Sequence, residues 1–318
     1  MTNKEVVMGI DTSCYTTSVA LLDLEGNLLA DKRQILKVKQ GGCGLAQSEM
    51  VFQHTRNLPL LFEEIDFSNF KIKAVGVTNR PRPLAQSYMP AFLTGWGQAK
   101  NLSKVLGVPL FPLSHQENHL EAGLWSAGGP SSDKFVMLHA SGGTTDILLA
   151  KKDATQKITL ETVGESIDLH AGQFVDRVGV ALELPFPAGP YLEALAKSAQ
   201  EAVVLPVWVQ DNKVSFSGVC TKAVRLAATD VDKASLALGT EVALGKALGK
   251  VLSNICLEHD VQEVLLVGGV CANAYIRKII AEMLAHNGIK TYVPDPKFSG
   301  DGAVGAAYYA LTKVRQTI

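Results

Sequence analysis

At ~150 residues per domain, a chain of 318 residues points to about two domains and a sizeable core. Hydrophobic residues make up 47% and charged residues 19%, which excludes a disordered or collagen-like chain and is the composition of a compact globular enzyme. Lys and Arg number 30 against 31 Asp and Glu, a formal charge of −1, so any nucleic acid must be held by a local basic patch or through a partner.

Residues 1–10 carry one Lys and a short apolar run that stops at Asp11, too short for a signal-peptide core. The segment 83–99 lacks Asp, Glu, Lys and Arg but is broken by Gln, Ser, Pro and Gly, so no membrane span is expected. The five cysteines, Cys14, Cys43, Cys220, Cys256 and Cys271, never form a Cys-x-x-Cys pair, which implies reduced thiols in a cytoplasmic protein.

In chain order, residues 6–10 read as a buried strand, Asp11-Thr12-Ser13-Cys14 as a turn, and 18–22 as the returning strand of a hairpin. Residues 74–78 form a short strand, and 91–106 a helix burying Phe92, Leu93, Trp96, Ala99 and Leu102. Residues 109–112 are a further extended piece. The hairpin then recurs: 135–138 and 146–150 are apolar strands around the small-residue turn His139-Ala140-Ser141-Gly142-Gly143-Thr144-Thr145. Residues 236–259 place Leu244, Leu248, Val251, Leu252 and Ile255 at helical spacing, and 264–267 is a fully buried strand. Two similar hairpins, each followed by alternating strands and helices, predict two related α/β lobes. The lobe boundary is placed near Pro112, giving lobes 1–112 and 113–318, with the last helix, 301–315, packing back on the first.

The sharpest chemical signal is Ser114-His115-Gln116-Glu117-Asn118-His119. Histidines four apart share one helix face and can share a metal ion. Ser114 and Glu117 form Ser-x-x-Glu, a capping box that starts the helix there. Glu117 lies about 200° around the helix from His115, so it is badly placed as a peptidase base, unlike the acid of His-Glu-x-x-His. The turn Ser141-Gly142-Gly143-Thr144 exposes backbone N–H groups of the kind that approach phosphate oxygens. Residues 264–267 run into Gly268-Gly269-Val270-Cys271-Ala272-Asn273 and a helix with Arg277 and Lys278, a usual ligand-binding junction in α/β folds. Asp301 precedes a small-residue helix and reads either as its N-cap or as a carboxylate ligand brought to the histidines. Asp176 and Arg177, with Asp168 nearby in sequence, read either as a solvated pair or as a place where an acid accepts from ribose hydroxyls. Lys32, Arg33, Lys37, Lys39, Arg80 and Arg82 are the candidate basic patch, with a solvated face as the alternative.

Together these segments resemble the TsaD family, glycoprotease-like proteins of the actin, sugar-kinase and Hsp70 ATPase superfamily. Gly9-Ile10-Asp11-Thr12-Ser13-Cys14 is similar to the family's opening GIETSC, residues 114–119 to NHxEGH, and Ser141-Gly142-Gly143 to the SGGHT turn. Residues 172–177 resemble GEAFDK, Pro187-Ala188-Gly189-Pro190 resembles YPGGP, and Ser215-Phe216-Ser217-Gly218 matches FSFSG. Residues 268–273 are close to GGVxAN, and Asp301-Gly302 falls where the family has Asp-Asn.

The resemblance implies a two-lobed actin-like ATPase fold, with duplicated ribonuclease-H-like domains and a nucleotide cleft between them. It implies one divalent metal, iron or zinc, held by His115, His119 and Asp301. It also implies an adenine nucleotide or acyl-adenylate, with Ala140, Ser141, Gly142, Gly143 and Thr144 at the acyl-phosphate, Asp176 and Gly189 at the ribose, and Gly268, Gly269 and Asn273 at the nucleotide. The implied activity is transfer of threonylcarbamoyl from threonylcarbamoyl-AMP to the adenosine beside the anticodon, in tRNAs that read codons starting with A. The implied partners are a smaller paralogous subunit and a small ATPase. No membrane is involved.

The chain departs from the family's pattern in several places. Tyr15 and Thr16 stand where the family has two acids, and Thr144 replaces a histidine. Arg80-Pro81-Arg82-Pro83 replaces Gly-Pro-Gly-Leu, and only the second glycine of YPGGP is kept, as Gly189. Transfer to another acceptor, or a catalytically weak regulatory subunit, are the alternative readings.

Overall fold

The computed structural model describes residues 3–13, 15–38 and 45–316. Two compact units divide the chain: Met1–Ser126 with Asp301–Ile318, and Ala127–Gly300. The boundary expected near Pro112 is corrected, because Pro112 sits inside a strand of the first unit. The break falls instead at the Ala-Gly-Gly-Pro-Ser-Ser run 127–132.

The first unit opens with β1 (Lys4–Thr12), β2 (Thr16–Asp23), β3 (Leu28–Ile35), α1 (Gln47–Glu63), β4 (Phe70–Arg80), α2 (Phe92–Leu106), β5 (Leu110–Ser114) and α3 (His115–Ala127). The second contains β6 (Lys134–Ala140), β7 (Thr145–Lys152), β8 (Ile158–Ser166), α4 (Ala171–Ala181), α5 (Gly189–Ala196), β9 (Trp208–Gln210), β10 (Lys213–Ser215), α6 (Ser217–Ala227), α7 (Lys233–Glu258), β11 (Glu263–Val267), α8 (Ala274–Ala285), β12 (Lys290–Tyr292) and α9 (Pro296–Ser299). The chain ends with α10 (Val304–Arg315), back in the first unit.

The first sheet has the order β3-β2-β1-β4-β5, with β1 antiparallel to β2 and parallel to β4. The second has the order β12-β11-β6-β7-β8-β10-β9, and its segment β8-β7-β6-β11-β12 repeats that plan strand for strand. The recurrent hairpins of the sequence are thus the first two strands of each sheet.

Alternation along β1 settles which helix covers which face. Val6, Met8 and Ile10 pack with Leu58 and Leu61 of α1 and Ala99 of α2. Gly9 faces the other way, and there α10 comes close: a β-carbon on Gly9 would lie 2.1 Å from the Ala303 carbonyl oxygen. Gly76 of β4 has the same relation to Ala306, at 1.9 Å. Glycines on the sheet and alanines on α10 therefore bring helix and sheet backbones together.

In α2, Phe92 and Ala99 are buried and Trp96 and Leu102 half-buried, but Leu93 is exposed, which corrects the expectation that all five are core. In the second unit, Val136, Leu138, Ile147 and Leu149 pack beneath Phe174, Leu244, Leu248, Val251, Leu252 and Ile255. Gly245 and Gly249 of α7 let α8 approach, receiving Ile279 and Met283.

Candidate functional site

β5 runs straight into α3, and the capping box forms as the sequence predicts: Glu117 Oε2 accepts from the Ser114 N–H at 2.7 Å, and Ser114 Oγ from the Glu117 N–H at 3.2 Å. The cap ties the Glu117 carboxylate to the helix start, away from the chemistry. His115 and His119 then lie one turn apart, with Nε2 atoms 3.1 Å from each other and rings nearly perpendicular at 73°.

Asp301 arrives on the loop before α10. It is not the helix cap, for that position is Ala303. Its Oδ1 lies 3.3 Å from Nε2 of each histidine, while Oδ2 accepts from Ser13 Oγ at 3.1 Å. Two imidazole nitrogens and one carboxylate oxygen thus face a common point, at separations that suit ligands about 2 Å from one ion. Asp11, buried in β1, stands behind His115: its Oδ1 lies 3.3 Å from Nδ1 and accepts from Thr78 Oγ1 at 2.6 Å. Asp11 Oδ2 is buried with no hydrogen-bond partner among the described residues.

The electrostatics fit a cation. Burial works against charging His115, but the carboxylates of Asp11 and Asp301 outweigh it and push its pKa up to about 10. His119 is pulled the opposite way, by burial and by the neighbouring His115. Asp301 is held well below the carboxylate range by the two imidazoles in spite of its burial. At neutral pH His115 therefore holds a proton in the metal-free cluster, and a divalent metal bound at its Nε2 would displace it. A donor set of two imidazole nitrogens and one carboxylate oxygen suits a divalent transition metal.

The sequence reading placed Asp11 in a turn and gave it no role. β1 extends through Thr12, so Asp11 is a strand residue aimed at α3. The signal available was its pairing with Thr78 and His115 across parallel strands, which no local pattern reveals.

All the expected nucleotide residues lie in the second unit, and those of the 140–144 turn and Gly268-Gly269 follow two adjacent strands. β6 and β11 are parallel neighbours, so Ala140-Ser141-Gly142-Gly143-Thr144 and Gly268-Gly269 leave the sheet side by side. Gly268 has φ +97°, and a β-carbon there would strike the Ala140 carbonyl at 2.2 Å, so only glycine fits. The Ser141 N–H donates to Thr144 O at 2.8 Å and closes the turn. Gly142, Gly143, Gly189 and Gly269 meet no atom within 4 Å of a notional β-carbon, so each has open space on that side.

Asp176 of α4 accepts from the Ala188 N–H at 2.8 Å, just before Gly189, and burial raises its pKa. Asn273 caps α8 through Oδ1, bonded to the N–H groups of Tyr275 and Ile276, and its amide donates to Glu241 of α7. Glu193 of α5 accepts from the Ala274 N–H at 3.1 Å. Neither Glu193 nor Glu241 belongs to the motifs read from the sequence.

Asp168 is not free for a ribose. Its carboxylate accepts from the hydroxyls of Ser215 and Ser217 and from the N–H groups of Leu169, Phe216 and Ser217, which hold it far below the usual range although burial opposes them. Its work is to fasten the start of α6. The candidate basic patch also changes character. Arg33 turns inward to Asp31 and Asp301, Lys32 pairs with Glu64 at 3.1 Å, and Arg80 contacts Asn79 and Glu117. Lys37 is exposed, and Lys39 lies outside the described residues, as do Cys14 and Cys43. Among the described residues no helix is long and apolar enough to cross a membrane.

Comparison with known proteins gives the family and the fold. A family model described as TsaD, tRNA N6-adenosine threonylcarbamoyltransferase, matches residues 40–308. The tRNA N6-adenosine threonylcarbamoyltransferase of Thermosipho africanus is 31% identical, over 97% of this chain and 94% of that one. A probable bifunctional tRNA threonylcarbamoyladenosine biosynthesis protein of Methanothermobacter thermautotrophicus is 28% identical over 95% of this chain, which spans 54% of its length. Among solved structures, the activator of the 2-hydroxyisocaproyl-CoA dehydratase from Clostridium difficile, with bound ADPNP, shares the fold at 15% identity and TM-score 0.57, over 98% of this chain and 96% of that one. With the family model covering most of its length, the chain belongs to the TsaD family of tRNA N6-adenosine threonylcarbamoyltransferases.

Proposed function

We propose that this chain transfers the threonylcarbamoyl group of threonylcarbamoyl-AMP to N6 of a tRNA adenosine, using a divalent metal held by His115, His119 and Asp301. The observation that carries the reading is the convergence of Nε2, Nε2 and Oδ1 from α3 and the loop before α10, within 3.1–3.3 Å of one another. Family membership supplies the reaction class.

In the step, N6 bonds to the carbamoyl carbon, the bond from that carbon to the phosphate oxygen breaks, AMP leaves, and N6 loses a proton. A bound iron or zinc ion would act as a Lewis acid toward a donor oxygen. The residues of the second unit would do the holding: the 140–144 turn at the acyl-phosphate, Asp176 and the backbone at Gly189 at the ribose, and Gly268, Gly269 and Asn273 at the nucleotide. In the first unit, Asp11 fixes the ring of His115 so that Nε2 faces the ligand point, and Ser13 leaves Oδ1 of Asp301 for that point. Glu117, bound into its cap, takes no part, which argues against a peptidase.

A tRNA acceptor held through local basic groups, a smaller paralogous subunit and a small ATPase complete the reading. A cytoplasmic location is part of it, supported by the free, buried thiols of Cys220, Cys256 and Cys271. The test is transfer of labelled threonylcarbamoyl to unmodified tRNA by purified protein with its partners. Modified adenosine formed by the wild type and absent with His119→Ala supports the reading. Transfer that persists in the variant, or wild-type protein that modifies no tRNA, overturns it.

A further inference from the structure

Arg33 points from β3 toward the loop that carries Asp301. Its Nε donates to Asp31 Oδ1 at 2.8 Å, and its Nη1 donates to the backbone carbonyl of Asp301 at 3.1 Å. The guanidinium lies against Gly302, where a β-carbon would come within 2.7 Å of Cζ, 2.9 Å of Nη2 and 3.0 Å of Nε. Gly302 does not adopt a left-handed φ, so its backbone has no need of glycine. A side chain there would meet the end of Arg33, which its bonds to Asp31 and the Asp301 carbonyl hold in place, and could enter only by displacing it.

We propose that Arg33 is the positioning residue for the Asp301 ligand, and that position 302 is glycine in order to admit the Arg33 guanidinium. The inference rests on Asp301 being a metal ligand. The loop before α10 has no side-chain helix cap to define it. Its backbone is pinned instead at consecutive carbonyls, by Arg33 at Asp301 and by Asn118 Nδ2 at Gly302, 2.8 Å away. Arg33 is suited to this because its rigid fork spans Asp31 and the carbonyl at once, which a lysine ammonium on a flexible stem does not. Asp31, nearly buried, anchors the fork from the same strand. The family resembled by the sequence has Asn at the position of Gly302, so this chain replaces a local side chain with one delivered from a neighbouring strand, and a side chain at 302 would have to displace the guanidinium from its bonds.

The test is a double-mutant cycle on the full chain, read by Zn2+ titration against a competing chelator and by thermal melting of the metal-free forms. Arg33→Ser and Gly302→Asn should each weaken Zn2+ binding by about 10–100-fold, the usual range for losing support behind a ligand. The double variant should bind more tightly than the product of the two single losses predicts. Gly302→Asn should lower the melting temperature on the wild-type background and much less with Arg33→Ser. Arg33→Lys should keep the fold and leave the Zn2+ loss unrepaired. Unchanged Zn2+ affinity in folded Arg33→Ser, or additive effects in both readouts, overturns the proposal. Wild-type protein that binds no Zn2+ overturns the metal reading itself, and the positioning role of Arg33 with it.

Discussion

Asp11 Oδ1 and His115 Nδ1 lie 3.3 Å apart, so the imidazole whose Nε2 faces Asp301 has a second carboxylate behind it. A carboxylate at that position selects the tautomer with a proton on Nδ1 and frees Nε2 to bind a cation. Asp11→Asn should therefore weaken metal binding by about 10–100-fold without unfolding the protein. Competition titration with Zn2+ measures it, and unchanged affinity would remove Asp11 from the site.

Direct ligands should matter more than their supports. His119→Ala and Asp301→Asn should each cut metal content below a tenth of the wild-type stoichiometry and lower transfer by more than about 100-fold, exceeding the loss expected for Asp11→Asn. Elemental analysis of purified variants, beside circular dichroism to confirm the fold, gives the comparison. Full metal occupancy in either variant would dismantle the three-residue centre.

The closeness of α10 to the first sheet predicts a packing effect at a distance from the ligands. A methyl group on Gly76 has no room beside the Ala306 carbonyl, so Gly76→Ala should destabilise the protein by about 1–3 kcal/mol or more as the helix is pushed outward. Because Asp301 leads into that helix, metal affinity should fall as well. Denaturant unfolding and Zn2+ titration on one preparation would show whether the two losses travel together.

The second unit carries a titration of its own. Burial raises the Glu241 pKa to about 7 from 4.5, helped by Glu193 and opposed by the Asn273 amide and Lys197. The folded state then holds its proton at pH values where the unfolded chain has released it, so stability falls as pH rises from about 4.5 to 7. Glu241→Gln should flatten that part of the stability profile by roughly 2–3 kcal/mol. Urea midpoints measured at pH 5 and pH 7.5 on both forms would test it, and parallel profiles would rule the assignment out.

How much of this was legible depended on whether the signal was local. The two hairpins stand out because each is an apolar run doubling back through small residues, and α7 because five apolar positions repeat at helical spacing. The capping box announces the start of α3 within four residues. The domain break was misplaced at Pro112 because an extended Pro-flanked piece looks like a linker, yet Pro112 is paired in β5 beside Val77. The true break carries a plainer signature, Ala127-Gly128-Gly129-Pro130, that went unused. Asp11, Arg33, Glu193 and Glu241 were missed for a different reason: each acts on a partner reached only through sheet order or helix packing. Leu93 misled because hydrophobicity alone does not distinguish the inner from the outer face of α2.

The closing segment of the chain supplies Asp301 and the helix that covers Gly9 and Gly76, while Asn118 and Gly302, in direct contact, are 184 residues apart in sequence. During translation the opening strands emerge early but wait, with one side bare, until the entire intervening unit has left the ribosome. A chain truncated before that point would have a first sheet open on the side α10 covers.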